Sequence, residues 1–577
     1  MRYELIAEKD KNNSVLIQVL ANRQIKNIYR YLHTTDDDIY DPLLLDNMDQ
    51  GAELLLKHIQ NGDRIFIQVD SDADGFTSSS ILINYLHRLY PDYVENKVKY
   101  WVHDNKAHGI DLDNISDDIK LVVAPDSSSE EESKHKMLYD KGIDVLILDH
   151  HNASKYSDYA ITINNQLCNY PNKDLSGAGI VYKFCTYLDK KLNVNYADDY
   201  LDLTILGIIA DVMDLRNCET RQLIVKGIEN THNKFLTALL EKQESRTGGE
   251  LTPKIFAWNI APYVNAITRI GTIEERRLIF EAMLDFKATE LLPSTKRGEK
   301  GKTEQRCVQA ARTAMNVKRH QDTFRDEFAQ DLTKQIEDKH LLDNKILIIQ
   351  LNENDENTAS MRGLVANKFM SRYQRPVMIL SKIIDKDGTV HWAGSGRNGG
   401  GALESLQAFL KESQLIDYAN GHDNALGISI PDNKINDFIN YSNQKLKDVD
   451  FTPKYKVDMI YQQNNIDIND LFSVGAETSL WGQGIEEPMF AFENIEINGN
   501  NTQLLGAKNN ALKISLSNGL SFIKFGTGCQ TEYESLVPTE GKRYLNIVGT
   551  CSINAYDGKP QIQIVDYEIA KELKYYF

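Results

Sequence analysis

Acidic residues and histidines follow the ends of successive short apolar runs in the first half of the sequence. The segment 70–75, Asp-Ser-Asp-Ala-Asp-Gly, follows the run 64–69, Asp126 follows the run 121–124, and 149–151, Asp-His-His, closes the run 145–148. Helical patterns separate these runs, and this alternation predicts a parallel, doubly wound α/β sheet. Ligands bind at the carboxyl ends of such strands. We therefore expect carboxylates and imidazoles to meet at one edge of the sheet.

This group of acidic residues predicts a metal site. Asp211, which follows the apolar helix predicted over 201–210, adds a further carboxylate. Carboxylates cannot crowd together in the ionised form without a counter-charge, and mixed oxygen and imidazole ligands suit Mn²⁺ or Mg²⁺. Two such ions could activate a water molecule and stabilise an in-line displacement at phosphorus.

Each motif alone has a plainer interpretation. The segment 70–75 also resembles a calcium loop, but Ile81 stands where the closing glutamate should be. Asp126 alone could cap a helix, and Asp-His-His alone could be a surface turn. The conjunction of the motifs at strand and helix ends favours the metal site.

The composition limits the kind of partner. A net charge of −18 argues against bulk non-specific binding to nucleic acid. The stretch 296–319, however, holds eight Lys and Arg residues against Glu299 and Glu304, so it is either a local contact for nucleic acid or a solvated helix face. Six scattered cysteines favour a reducing, cytoplasmic setting, and no apolar run is long enough to predict a membrane span.

Changes of pattern along the 577 residues predict several domains. A second α/β pattern begins near residue 345, after a polar helix predicted over 303–340, and short alternating runs between Asn- and Gly-rich turns indicate an all-β end. The expected organisation is an N-terminal segment 1–50, a catalytic α/β domain 51–260, a helical connector 261–340, a second α/β domain 341–450 and an all-β domain 455–577.

These motifs resemble a known family. The order Asp72-Ala73-Asp74-Gly75, Asp126, Asp149-His150-His151 and Ala210-Asp211 is similar to the four motifs of the DHH phosphoesterase superfamily. The stretches 394–397, Gly-Ser-Gly-Arg, and 420–427 resemble the associated DHHA1 domain. The stretches 176–179, 261–269 and 481–488 are similar to RecJ-type exonucleases, the last at the entry to their OB-fold. The resemblance implies a DHH lobe, a connector helix, a DHHA1 lobe and a C-terminal OB-like domain.

The resemblance also implies the roles of individual residues. The expected metal ligands are Asp72, Asp74, Asp126, His150 and Asp211. Asp70 and Asp149 would support them, and His151 would face the scissile phosphate. The residues expected to bind substrate are Ser395 and Arg397, which would hold a 5′-terminal phosphate, together with Gly421, His422 and Arg269.

The function that the resemblance implies is a metal-dependent 5′→3′ exonuclease on single-stranded DNA. It would use two Mn²⁺ or Mg²⁺ ions, release 5′-mononucleotides in DNA recombination or repair, and act as a monomer with a single-strand-binding protein or a helicase as a candidate partner. The alternatives are an oligoribonuclease or cyclic-dinucleotide phosphodiesterase of the same superfamily, which normally lacks an OB domain, and a non-catalytic DNA-binding scaffold. The family's Asp-Cys-Gly is Asp-Ser-Ser at 126–128 here, and its Gly-Gly-His is Asn-Gly-His at 420–422.

Overall fold

A computed structural model describes residues 1–103, 107–249, 251–351, 356–399, 403–554 and 557–570. The chain divides into two compact units. The N-terminal unit comprises residues 23–319 and 477–487, and the C-terminal unit comprises residues 1–22, 320–476 and 488–577. Among the described residues, no helix combines the length and the apolar character that crossing a membrane requires.

A parallel sheet lies at the centre of the N-terminal unit. Along the strand Arg64–Val69, alternate side chains lie on opposite faces of the sheet. Ile65 and Ile67 belong to one buried apolar cluster, and Phe66 belongs to another. Both faces of the sheet are therefore covered, which confirms the predicted doubly wound α/β fold. In spatial order the described strands are Val98–Val102, Arg64–Val69, Ile119–Pro125, Asp144–Asp149 and Ile161–Asn164.

Helices surround this sheet and continue beyond the predicted domain boundary at residue 260. Ala266, Phe280 and Ala310 are buried in the same core as the sheet, so much of the predicted connector 261–340 packs within the N-terminal unit. The described α-helices are Ile28–Leu32, Met48–Asn61, Ala73–Leu89, Pro91–Lys97, Glu132–Tyr139, Gly177–Leu192, Leu201–Ala210, Cys218–Glu229, Lys234–Glu241, Glu244–Thr247, Pro253–Ile255, Ala261–Ile270, Ile273–Met283 and Asp285–Ala288. Shorter turns of 3₁₀-helix are Asp36–Asp38, Pro42–Leu44, Leu112–Asn114 and Ala197–Tyr200, and Phe256–Ile260 is a π-helix.

The long polar helix exists, with slightly different ends from those predicted. It runs over Arg306–Asp338 rather than 303–340. Its first three predicted residues form the strand Thr303–Gln305, which pairs with Leu291–Pro293. The hydrogen bond from the Gln309 side chain to the Pro293 carbonyl joins this hairpin to the helix.

The C-terminal unit begins with a mixed sheet packed against helices. This arrangement agrees with the second α/β lobe of the predicted fold. The strands in spatial order are Tyr418–His422, Ala425–Pro431, Val390–Arg397, Val377–Ile384 and Leu347–Leu351. The described helices are Glu356–Tyr373, Leu406–Ser413 and Ile435–Lys445, with 3₁₀ turns at Leu341–Asp343 and Asp432–Lys434.

A second, mostly antiparallel sheet forms the end of the chain and confirms the predicted β-rich domain. Phe490 is fully buried in its core, so this side chain has no exposed face on which a base could stack. Its described strands in spatial order are Met459–Gln462, Met489–Ile497, Arg543–Ile553, Pro560–Ile569, Ser521–Phe525, Ala511–Ser515 and Thr502–Leu505. The helices Ile468–Gly475 and Cys529–Leu536 and the turn Gln463–Asn465 accompany it.

The first 50 residues are divided between the two units. The strand Arg2–Leu5 pairs in parallel with Lys454–Val457, and the helix Val15–Asn22 belongs to the same C-terminal unit. Residues 23–50 belong to the N-terminal unit. The expected single N-terminal segment 1–50 is thus two pieces, because long-range strand pairing holds only its first part.

Candidate metal centre

The residues predicted as metal ligands meet at the carboxyl edge of the parallel sheet. The Nε2 atom of His150 lies 3.2 Å from Asp126 Oδ1, 3.5 Å from Asp211 Oδ2 and 3.7 Å from Asp74 Oδ2. Asp72 joins Asp126 in a neighbouring group whose oxygen atoms lie within 4.8 Å of one another. The strand ends and one helix end thus supply five groups that are able to bind metal.

Two of these side chains carry buried polar atoms that make no hydrogen bond to another described residue. Both carboxylate oxygens of Asp126 and the Nε2 of His150 make no hydrogen bond within the described part of the chain. A buried carboxylate without a partner costs free energy, and a bound cation removes that cost. The donor set of carboxylate oxygens and imidazole fits Mn²⁺ or Mg²⁺. The residues present therefore fit divalent metal.

The crowding of carboxylates changes their pKa values. Burial, with the charges of Asp74 and Asp72, raises the pKa of Asp211 to about 8 and that of Asp126 well above its usual value. Burial lowers the pKa of His150, so this imidazole is neutral at pH 7 and can bind metal. These shifts indicate a site in which cations replace protons.

Asp74 is held in place by the start of a helix. Its carboxylate accepts hydrogen bonds from the Ser176 hydroxyl at 2.9 Å and from the backbone N–H groups of Gly177 and Ala178 at 2.6 and 3.1 Å. The N-terminus of a helix favours a negative charge at this position. The segment 176–179, noted in the sequence only as a family match, therefore holds a candidate metal ligand in place.

Close backbone approach at this site requires glycine at two positions. A Cβ on Gly207 would collide with Asp74 Oδ1, and a Cβ on Gly177 would collide with the Asp126 side chain. Sequence reasoning did not identify Gly207, because nothing in an apolar helix distinguishes a glycine that lies against a carboxylate. The backbone is also strained beside the ligands, since Asp126 and Val212 have φ of 61° and 60°.

The two supporting aspartates each hold a histidine. Asp149 Oδ1 accepts from Nδ1 of His151 at 2.8 Å, and Asp70 Oδ2 lies 2.6 Å from Nδ1 of His108. The hydrogen bond to Asp149 raises the pKa of His151 to about 9. His108 was not among the predicted site residues, because its place beside Asp70 is evident only in three dimensions.

A cavity of about 300 Å³ opens onto these ligands. Asp72, Asp74 and Asp211 line it together with His108 and Arg269. Arg269 is the one predicted substrate-binding residue that lies in this N-terminal unit, and its guanidinium places a positive charge beside the acidic groups. The cavity therefore combines candidate metal ligands with a group that can bind phosphate.

The other predicted substrate residues lie together in the C-terminal unit. Ser395 and Arg397 are two apart on one strand, and both side chains approach Gly363, whose missing Cβ leaves room for them. Arg397 is in register with Ala425, which is in register with His422, so Arg397 and His422 share one face of the sheet. Gly421, with a φ of 121°, shapes the hairpin beside them.

The basic stretch 296–319 is partly neutralised. Lys296 lies 3.2 Å from Glu304, Arg312 also pairs with Glu304, and Arg306 pairs with Glu281 and Glu290. Arg297, Lys300 and Lys302 are exposed and form no ion pair with another described residue. The positive charge available to a ligand is thus smaller than the sequence suggested.

The comparison with known proteins identifies the family. Residues 64–208 match the DHH family, N-terminal domain, and residues 457–566 match the RecJ OB domain. A protein of Bacillus subtilis (strain 168) named "Putative SPbeta prophage-derived single-strand DNA-specific exonuclease YorK" is 32% identical over 99% of both chains. The chain belongs to the RecJ family.

Other RecJ proteins agree in sequence and fold. The single-stranded-DNA-specific exonuclease RecJ of Bacillus subtilis is 25% identical over 94% of this chain and 66% of its own length. The crystal structure of RecJ from Thermus thermophilus in complex with Mn²⁺ matches 97% of this chain and 76% of its own, with a TM-score of 0.72 and 19% identity. The complex of the same protein with Mg²⁺ matches with a TM-score of 0.66 at 18% identity and covers 99% and 79% of the two chains. These structures support the fold.

Proposed function

We propose that this RecJ-family chain is a metal-dependent exonuclease that degrades single-stranded DNA from the 5′ end and releases 5′-mononucleotides. The observation that carries the proposal is the buried pair Asp126 and His150, whose carboxylate oxygens and Nε2 make no hydrogen bond in the described part of the chain and lie within a set of carboxylates. Such a site suits divalent metal and phosphoryl transfer. The relative at 32% identity carries the name "Putative SPbeta prophage-derived single-strand DNA-specific exonuclease YorK".

The proposed roles follow from the position of each group. Asp72, Asp74, Asp126, His150 and Asp211 hold the metal ions, which would polarise a phosphoryl oxygen and lower the pKa of a bound water. His151 is 57% exposed and protonated at neutral pH through Asp149, so it donates a hydrogen bond to a non-bridging oxygen of the scissile phosphate. Asp70 orients His108 at the mouth of the cavity.

Substrate binding is divided among the remaining predicted residues. Arg269 offsets phosphate charge at the metal cavity. Ser395 and Arg397 bind the 5′-terminal phosphate, for which a guanidinium is suited because its N–H groups form a planar fork. Gly421 and His422 contact the DNA strand beside this terminal phosphate. The 5′→3′ direction of cleavage rests on this assignment.

The experiment that tests the function uses matched substrates. Oligonucleotides labelled at the 5′ or the 3′ end, as single-stranded DNA, duplex DNA and short RNA, are incubated with Mn²⁺ or Mg²⁺, and His150→Ala serves as the inactive control. Early release of the 5′ label as a mononucleotide from single-stranded DNA alone supports the proposal. Preferred cleavage of short RNA or of a cyclic dinucleotide would favour the alternative enzymes. Binding of single-stranded DNA without any cleavage would favour a non-catalytic scaffold.

The cellular setting is part of the same proposal. We place the protein in the cytoplasm as a monomer, where a single-strand-binding protein or a helicase would present its substrate. Sedimentation at micromolar concentration tests the monomer, and co-sedimentation with each candidate protein tests the partners.

A further inference from the structure

An apolar cavity of about 480 Å³ lies beside the metal cavity, within the N-terminal unit. Ala210 and Asn265 line both cavities, and the metal-ligand candidate Asp211 stands between Ala210 and Val212 in the chain. If a phosphodiester is held at Asp211, the substrate groups next to it can therefore contact this apolar surface.

The walls of this cavity hold large apolar side chains that are exposed to solvent, which is unusual at a protein surface. Trp258 has 71% of its surface exposed and Val212 has 58% exposed, whereas Trp481 is nearly buried in the cavity wall. Large exposed apolar side chains that gather around one cavity commonly mark a binding site. Trp258 and Val212 lie outside the buried core, so folding alone does not explain their position at this cavity.

The backbone carrying two of these residues departs from regular geometry. Trp258 lies on the π-helix Phe256–Ile260, a form that is rare and often found at functional sites. Val212 occupies the left-handed position after the helix Leu201–Ala210, where glycine is favoured and a β-branched residue is strained. Both deviations place apolar side chains at the cavity.

We propose that this cavity binds the nucleobase of a nucleotide next to the scissile phosphate, with the base stacked on the indole of Trp258. The inference rests on the proposed function and extends it. A flat aromatic surface binds any base, because every base has a π-face, and this suits an enzyme that must accept each nucleotide in turn. The amide side chains of Asn265 and Gln483 at the cavity can accept or donate hydrogen bonds at the edge of the base.

The test combines a protein variant with an abasic substrate. The binding of oligothymidylate is measured with Mn²⁺ in a His151→Ala background, in which cleavage is slow. A single abasic position is moved through the strand from the 5′ end and from the 3′ end. We expect one position at which loss of the base weakens binding by about tenfold, within the range measured for base stacking on an aromatic side chain.

The variant Trp258→Ala should weaken binding of the intact strand by about the same factor and should remove the further effect of the abasic site at that position. Trp258→Phe should restore most of the affinity. The control is Tyr29→Ala, which removes an aromatic residue that is 76% exposed and lines neither cavity, and should leave binding unchanged.

The two proposals fail in different ways. If Trp258→Ala binds and cleaves the intact strand as the parent does, or if both proteins respond equally to every abasic position, the base site is wrong while the exonuclease stands. If the unmodified protein neither binds nor cleaves single-stranded DNA, the proposed function and the base site both fail. Thermal unfolding of each variant verifies that Trp258→Ala is folded.

Discussion

Asp149 binds the imidazole of His151 but only the backbone of His150. Its Oδ1 lies 2.8 Å from His151 Nδ1 and accepts the His150 backbone N–H at 2.7 Å. The His150 side chain is 6% exposed and faces the carboxylates, whereas the His151 side chain is 57% exposed. The two adjacent histidines therefore differ in exposure and in side-chain hydrogen bonding to Asp149, which supports separate roles, although an atom of each ring lies within 4.8 Å of Asp126.

The variants His150→Ala and His151→Ala should differ in metal binding. His150→Ala removes a proposed metal ligand, so it should weaken Mn²⁺ binding and abolish cleavage. His151→Ala removes only a donor to the developing phosphoryl charge, so it should bind Mn²⁺ normally and slow cleavage by about 10²–10³. Titration with Mn²⁺ followed by calorimetry checks this difference, and equal loss of metal in both variants would contradict it.

Metal binding should release protons at neutral pH. The raised pKa values of Asp126 and of Asp211, the latter about 8, mean that the metal-free site holds protons at pH 7. A cation displaces them, so Mn²⁺ affinity should rise with pH up to about 8 and fall below it. Calorimetry in buffers with different ionisation enthalpies measures the protons released. A binding enthalpy that is the same in all buffers would mean that these carboxylates are already ionised in the metal-free protein.

Gly207→Ala should damage the site although the change adds one methyl group. The new Cβ would collide with the carboxylate of Asp74 and with Ala178, so either the helix or the ligand must move. We expect a loss of about 1–3 kcal/mol in the free energy of unfolding, as for other overpacked cores, together with weaker Mn²⁺ binding. The control Gly499→Ala meets no atom within 4 Å and should be neutral. Chemical denaturation and metal titration of both variants test this.

The sequence predicts which candidate ligands come together better than it predicts their surroundings. Asp72, Asp126 and His150 could be found because strand ends converge at one edge, which is a rule of parallel sheets. His108 and Gly207 could not, since they reach the site through a loop and through helix packing whose register no local pattern reveals. The same holds for the strand Arg2–Leu5, whose partner lies about 450 residues further along the chain.

The exposed part of the basic stretch should contribute to DNA binding through charge. Replacement of Arg297, Lys300 and Lys302 by Gln should weaken binding to single-stranded DNA. The slope of log K against log salt should fall by about 0.7 for each phosphate that the variant no longer neutralises. Lys296→Gln is the matched control, since its ammonium already pairs with Glu304. Fluorescence anisotropy over a range of salt concentrations measures the slope. If the salt dependence of the triple variant is unchanged, this stretch is a solvent-exposed surface that does not contact the DNA.

Arg397 should distinguish the chemical group at the 5′ end of the substrate. Arg397 and Ser395 approach Gly363 together in the C-terminal unit, whereas the candidate metal ligands lie in the N-terminal unit, so Arg397→Ala should leave the metal site intact. If Arg397 binds the terminal phosphate, Arg397→Ala should weaken binding of 5′-phosphorylated strands by about ten- to more than a hundredfold, because a charged hydrogen bond contributes about 1.5–3 kcal/mol. Strands with a 5′-hydroxyl should be little affected, and slow cleavage should persist at high DNA concentration.

Ser395→Ala should show the same preference more weakly. Steady-state cleavage of matched oligonucleotides with the two end groups measures both variants, and equal losses on both substrates would assign Arg397 to folding or to general DNA binding.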